Sequence, residues 1–159
     1  MHKYTALKSS KNKSVEVTLI DYKDSFTFLP LLYELAIGTS NKLEVAPKFE
    51  DILRNTPIRF VQGKVQKIDL DKKIISITDS NDINYDTLVI AIGAMPRTDL
   101  IPGENKYANS FYSIDDAYKL QKILKKLKNS PKKEIRVHVI GGGYSGVELA
   151  TNLVYSIGR

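Results

Sequence analysis

Hydrophobic and polar positions in the first half of the chain predict a series of short strands. Residues 15–20 alternate and then become apolar, as a strand does, and Asp21 ends the run. The alternating runs 64–70 and 73–78 are separated by a two-residue turn, which predicts a hairpin. Residues 87–92 form a continuous apolar run that ends at a glycine, a pattern typical of a central strand buried on both faces.

The second half of the chain predicts two helices with a strand between them. Ser113 is a good N-cap, and Asp116 three residues later completes a capping box with Asp in place of Glu. The buried stripe of this helix is expected to contain Ala117, Leu120, Leu124 and Leu127. Residues 135–140 predict a strand and 147–157 a second helix, while residues 5–13 have the pattern of a helix end.

Composition excludes several classes of protein. The 159 residues, 42% of them hydrophobic, are enough for a domain with a real core. The absence of cysteine excludes a disulfide framework, a thiolate zinc site, an iron–sulfur cluster and thiol-based catalysis. His2 and His138, with no carboxylate cluster beside them, do not predict a metal site, and His138 is interpreted as structural.

Charge and hydropathy bear on partners and location. The net charge is +6, but lysines are scattered along the chain and arginines are scarce, so no nucleic-acid partner is expected. Seven lysines between Lys119 and Lys133 alternate with apolar residues and are interpreted as a solvated helix face. The N-terminus has no apolar signal core and no apolar run is long enough to span a bilayer, which predicts a cytoplasmic protein.

The strongest chemical motif is a glycine turn at residues 141–146. Gly141, Gly143 and Gly146 match G-x-G-x-x-G between a predicted strand and a predicted helix, the context that dinucleotide binding requires. The first glycine permits a tight turn, the second lets backbone approach a pyrophosphate, and the third lets helix and strand pack closely. The alternative is a turn that serves close packing alone. The acid expected about 20 residues after the glycines would fall beyond Arg159, so the choice between NAD and NADP stays open.

Asp21 has the position of the ribose-binding acid of another βαβ unit. It ends a predicted strand, where such an acid accepts hydrogen bonds from ribose hydroxyls. An ordinary aspartate at a strand end is the alternative. No glycine occurs in the first 37 residues, so the matching glycine loop is absent. The chain is therefore expected to begin inside one βαβ unit and to end inside another.

Four segments carry a resemblance to a known family. They are VTLID at 17–21, FLPLLYE at 28–34, YDTLVIAIGAMP at 85–96 and VIGGGYSGVELA at 139–150. In order and spacing they resemble the type II NADH dehydrogenases, especially a cyanobacterial and plastid branch that reduces demethylphylloquinone or related quinones. Ile92 stands where the family usually has Thr. The fold implied is α/β, a partial Rossmann-like flavoprotein with two dinucleotide-binding domains and a β-meander insertion. Residues 1–112 would form an incomplete FAD-binding domain, and 113–159 the start of the NAD(P)H-binding domain.

The resemblance implies an FAD-dependent NAD(P)H:quinone oxidoreductase. Hydride would pass from nicotinamide C4 to flavin N5, and two electrons would then reach a quinone. On the FAD side the resemblance assigns Asp21 to the ribose, backbone at Val65 to adenine, Pro30 and Leu31 to the isoalloxazine ring, and Ala91 and Gly93 to the lining of the site. On the NAD(P)H side it assigns Gly141, Gly143 and Gly146 to the pyrophosphate and Glu148 to the nicotinamide. The complete protein would associate peripherally with the cytoplasmic face of a membrane.

Other interpretations stay open at this point. Plain core packing is the alternative for Pro30 and Leu31, a solvated helix residue for Glu148 and a small core residue for Ala91. The chain as a whole could be a non-catalytic interaction module, or a ferredoxin or rubredoxin reductase on the same scaffold. Residues 24–40 contain no cysteine, which excludes a thiol relay from flavin to a disulfide. With a single glycine turn, the 159-residue chain is expected to bind FAD poorly and to turn over little or nothing.

Overall fold

The computed structural model describes residues 15–96 and 101–157. Its strands are β1 Val17–Asp21, β2 Ile58–Gln62, β3 Val65–Asp69, β4 Ile74–Ile77 and β5 Ile83–Asn84. Its helices are α1 Leu32–Ile37, α2 Lys42–Val45, α3 Phe49–Leu53, α4 Glu104–Tyr107, α5 Ile114–Lys128 and α6 Tyr144–Ile157, with a 3₁₀ turn at Leu29–Leu31. The α/β class is thus confirmed. The helix end predicted at 5–13 lies outside the described residues.

The chain folds into two compact units. The first unit comprises the chain before Ser25 together with Phe49–Asp86. The second unit comprises Ser25–Lys48 and the chain from Thr87 onward. The 112/113 domain boundary expected from the sequence stays a prediction.

Strand pairing organises the first unit. Strands β1 and β2 are parallel, with Asp21 opposite Gln62. Strands β3, β4 and β5 form an antiparallel meander, in which Val65 lies opposite Ile77. The hairpin predicted between 64–70 and 73–78 is confirmed, because β3 and β4 form with their connection where the turn was expected. The rings of Phe49 and Phe60 pack 4.7 Å apart and join α3 to β2.

Helices supply the core of the second unit in two clusters. The first core cluster consists of buried residues from α1, α2 and α5, namely Leu32, Leu35, Ala36, Val45 and Ala117. The second core cluster consists of Leu124, Leu149 and Leu153 from α5 and α6. The predicted α5 stripe is confirmed at Ala117 and Leu124, which are buried. The lysines of α5 are exposed, as a solvated face requires.

The start of α5 follows the predicted capping box. The Ser113 hydroxyl accepts from the Asp116 N–H at 3.2 Å, and the Asp116 carboxylate accepts from the Ser113 N–H at 2.9 Å. These bonds satisfy amides that a helix N-terminus otherwise leaves without partners. The cap therefore fixes where the chain enters the core of the second unit.

We expect Ser113→Ala to lower the free energy of unfolding by about 1 kcal/mol, the usual cost of losing an N-cap side chain. Urea unfolding followed by circular dichroism measures this change. Ser110→Ala, at an exposed position just upstream, is the matched control and should leave the unfolding midpoint in place. Equal midpoints for the two variants would contradict a stabilising role for the cap.

Two predicted strands are corrected by the structure. Residues 87–92 and 135–140 have no regular secondary structure, and Val89, Ile92 and Ile140 are 80%, 91% and 78% exposed. A strand exists only where a neighbour completes its hydrogen-bond ladder. Within 15–96 and 101–157, none of the five strands pairs with either run. The apolar side chains of these two runs predicted buried strands, but neither run has the strand partner that would bury it in the described ranges.

The two longest helices of the described part are α5, with 15 residues, and α6, with 14. In that part of the chain no helix has the length and apolar character needed to cross a membrane.

Candidate functional site

The glycine turn brings Gly141 and Gly146 into direct backbone contact. A Cβ placed on Gly146 would overlap the carbonyl oxygen of Gly141 and lie 3.0 Å from its carbonyl carbon. Gly141 has φ +116°, a conformation that side chains oppose. Both ends of the motif therefore require glycine. This confirms on geometric grounds that the turn is tight, although irregular chain, not a strand, leads into it.

The middle of the glycine turn is open. A Cβ on Gly142 or on Gly143 would meet nothing within 4 Å. Helix α6 starts directly afterwards at Tyr144, and the Gly143 carbonyl accepts from the N–H groups of Gly146 and Val147 at 3.0 and 3.1 Å. The first N–H groups of a helix have no intrahelical partner and attract anions. Exposed backbone beside a helix N-terminus fits a pyrophosphate group.

Asp21 ends β1 in the first unit. Its Oδ1 accepts from the Lys23 N–H at 2.9 Å, and its carbonyl accepts from the Gly63 N–H, also at 2.9 Å. The loop at Gly63 thereby connects the end of β1 to the start of β3 at Val65. A Cβ on Gly63 would overlap the buried Ile77 side chain, so this connection is tightly packed. Asp21 and Val65, separated by 44 positions, are thus held in one unit.

Pro30 and Leu31 lie in the 3₁₀ turn that leads into α1. Proline suits this place because the first turn of a helix tolerates its fixed φ and its missing N–H. Both residues are half-buried, and Leu31 packs against the first core cluster. The core-packing interpretation therefore has a contact to support it at Leu31. A flavin-facing role for this pair stays a prediction.

Ala91 and Gly93 lie in the 87–96 segment, in the same unit as the glycine turn. Both are exposed, and Gly93 has φ +74°. The alternative interpretation of Ala91 as a small core residue requires burial, and the structure leaves Ala91 exposed. A left-handed glycine in exposed backbone allows a ligand to approach the main chain.

Glu148 lies half-buried on α6, one turn after the glycines, and its charge affects Tyr33 of α1. Burial raises the pKa of Tyr33, and the charges of Glu34 and Glu148 raise it further. The Tyr33 hydroxyl donates to Glu34 Oε1 at 3.4 Å. Glu148 is half-buried, and its place near the nicotinamide stays a prediction.

A cavity of about 370 Å³ lies elsewhere on the second unit. It is lined by Ile37, Thr39, Lys128, Asn152, Tyr155 and Ser156. These positions belong to the C-terminal half of α6 and to the ends of α1 and α5, away from the glycine turn. The cavity contains none of the cofactor-binding residues predicted from the sequence.

A known protein family matches nearly the whole chain. Residues 4–157 match the family model described as pyridine nucleotide-disulphide oxidoreductase. The chain belongs to this family. Pyridine nucleotide-disulphide oxidoreductases are FAD-dependent, and the Rossmann-like flavoprotein class inferred from the sequence is confirmed.

Two curated relatives are quinone-reducing members of this family. The demethylphylloquinone reductase NdbB of Synechocystis sp. is 36% identical over 98% of this chain and 41% of its own length. The alternative NAD(P)H-ubiquinone oxidoreductase C1 of Arabidopsis thaliana is 36% identical over 87% of this chain and 30% of its own length. The resemblance to the type II NADH dehydrogenases is confirmed. The chain spans less than half the length of these relatives.

A solved structure agrees with this assignment. NDH2 from Plasmodium falciparum, determined in complex with NADH, superposes with a TM-score of 0.70 and 31% identity. The superposition covers 91% of this chain and 33% of that chain. The likeness of fold therefore extends across most of the pyridine nucleotide-disulphide oxidoreductase segment described above.

Sequence reasoning missed one residue that contacts the 87–96 segment. The Tyr112 hydroxyl donates to the carbonyl oxygen of Ala94, 18 positions earlier in the chain. No local pattern marks Tyr112, since its partner is a main-chain atom on a distant segment. A tyrosine directly before a helix cap is the only signal that the sequence offers.

Proposed function

We propose that this chain is the nucleotide-binding part of an FAD-dependent NAD(P)H:quinone oxidoreductase. The observation that carries the proposal is the glycine turn, closed at Gly146 and open at Gly143. The open backbone and the N-terminus of α6 suit the NAD(P)H pyrophosphate. Glu148, one helical turn further on, is proposed to lie near the nicotinamide.

The proposal also assigns contacts with FAD. Asp21 offers its Oδ2 to the ribose, since Oδ1 is engaged by Lys23, and backbone at Val65 faces adenine. Ala91, Gly93 and the Pro30–Leu31 pair are proposed to line the rest of the site. When bound, the flavin supplies the hydride acceptor and the two-electron donor of the reaction. Protein groups hold and orient it, and the 112/113 domain boundary remains part of this proposal.

A quinone is the proposed electron acceptor. The names of the relatives support this choice, and residues 24–40 offer no cysteine for a disulfide relay. Because quinones of this kind dissolve in lipid, the complete protein is proposed to associate peripherally with a membrane, on its cytoplasmic face. The oligomeric state is not part of the proposal.

The proposed function is tested first by titration. We expect the 159-residue chain to bind NADH and FAD in fluorescence titrations but to lose FAD during gel filtration, because it has a single glycine turn. NADH should bleach the visible absorbance of added FAD on the chain, and a quinone should restore it. Binding without bleaching would favour a non-catalytic module. Failure to bind either nucleotide would overturn the proposal.

Asp21→Asn tests the ribose contact. Asparagine keeps an oxygen for the Lys23 N–H but replaces the second carboxylate oxygen with a donor. Loss of a charge-assisted bond is expected to raise the Kd for FAD about tenfold or more. Asp24→Asn is the matched control, because Asp24 is exposed and accepts from Phe49 only through its main-chain carbonyl. Equal FAD affinities for the two variants would remove Asp21 from the site.

A further inference from the structure

The 87–96 segment has little to hold it. All of its residues except the half-buried Leu88 are exposed, it has no regular secondary structure, and it contains Gly93 in a left-handed conformation. In residues 15–96 and 101–157, no strand pairs with it. Yet the proposed flavin contacts at Ala91 and Gly93 require a fixed backbone, since a cofactor cradle works by preorganisation.

One side chain reaches this segment from the region before α5. The Tyr112 hydroxyl donates to the Ala94 carbonyl, and a Cβ on Gly93 would lie 3.9 Å from the same hydroxyl oxygen. Both contacts place the Tyr112 hydroxyl against the Gly93–Ala94 backbone. This is the tertiary hydrogen bond that the segment makes within the described part of the chain.

Tyr112 is itself held firmly. Its N–H donates to Asp116 Oδ2 at 3.1 Å, the same oxygen that completes the capping box with Ser113. Its neighbour Phe111 packs against both core clusters. A rigid helix start therefore fixes the backbone from which the phenol extends.

We propose that Tyr112 is a positioning residue that fixes the Ala91–Gly93 backbone for flavin. The proposal rests on the function proposed above, because that function assigns flavin contacts to this backbone. The contact itself is independent of the function. Tyr112 acts through a main-chain carbonyl and is not assigned a contact with the cofactor.

Tyr112→Phe removes the hydroxyl and leaves the ring and the capping box in place. Tyr118→Phe is the matched control: Tyr118 is a half-buried tyrosine of α5 that packs against the first core cluster, and its hydroxyl makes no hydrogen bond within the described ranges. Nitrogen relaxation of the amides at Gly93, Ala94 and Met95 measures their order. FAD titration by fluorescence measures affinity, and urea unfolding checks that both variants fold.

The wild-type chain and Tyr118→Phe should give order parameters near about 0.85 at these amides, the value of rigid backbone. Tyr112→Phe should lower them below about 0.6 and raise the Kd for FAD about tenfold, which corresponds to one lost hydrogen bond. Its urea midpoint should stay close to that of Tyr118→Phe.

Unchanged order parameters in Tyr112→Phe would overturn the proposal. Lowered order with unchanged FAD affinity would also overturn it, because the segment would then be held for another purpose. If the wild-type chain binds no FAD at any concentration, the proposed function fails. The relaxation data would then still show whether the Tyr112 hydroxyl orders the Gly93–Ala94 backbone, independently of FAD binding.

Discussion

Replacing Gly146 with alanine should reduce NADH binding by this chain at least about a hundredfold, a loss of about 2.7 kcal/mol of binding free energy. It should also lower the free energy of unfolding by about 1–3 kcal/mol, the usual cost of overpacking. The added Cβ would overlap the Gly141 carbonyl, which is main chain and cannot rotate away as a side chain could. The turn must therefore open, and its amides leave the positions that suit a pyrophosphate.

Isothermal titration with NADH and urea unfolding of the same samples measure both effects. Gly142→Ala is the matched control from the same turn, because a Cβ there meets nothing within 4 Å and Gly142 occupies a position of G-x-G-x-x-G that admits any residue. This control should bind and unfold like the wild-type chain. If Gly146→Ala retained wild-type affinity, the close approach of Gly141 and Gly146 would have no role in binding.

Local signals allowed much of this structure to be predicted from the sequence. Ser113 and Asp116 lie within one helical turn of each other, so their reciprocal bonds follow from spacing alone. The hairpin of β3 and β4 likewise depends on neighbouring residues. The glycine turn belongs to the same class, since a Cβ on Gly146 would overlap the Gly141 carbonyl only five positions away, and Gly141 is favoured by its own φ of +116°.

Non-local pairing accounts for what the sequence did not predict. The apolar runs 87–92 and 135–140 have the composition of strands, but composition does not specify which backbone completes a ladder. The contact between Tyr112 and Ala94 depends on how two separated segments meet. The inclusion of Ser25–Lys48 with the later chain in one unit is equally long-range. Assignments that depended on the family resemblance, such as Asp21 with FAD, remain predictions for the same reason.

Gly143→Ala should separate binding from folding. A Cβ on Gly143 meets open space in the chain, and its φ is not in the left-handed region, so the free energy of unfolding should change by less than about 0.5 kcal/mol. The methyl group would nevertheless stand beside the α6 N-terminus, where the pyrophosphate is proposed to approach. NADH affinity should therefore fall about a hundredfold.

Titration with NADH and with AMP distinguishes this effect from general damage. AMP lacks the pyrophosphate bridge, so its weak binding should change less than that of NADH when Gly143 gains a methyl group. Gly142→Ala again serves as control, since it adds the same methyl group one residue earlier in the same open stretch. Equal loss of NADH affinity in both variants would mean that the turn as a whole, not the Gly143 backbone, excludes side chains. Full affinity in Gly143→Ala would place the pyrophosphate away from this glycine, because a closely approaching phosphate leaves no space for a Cβ.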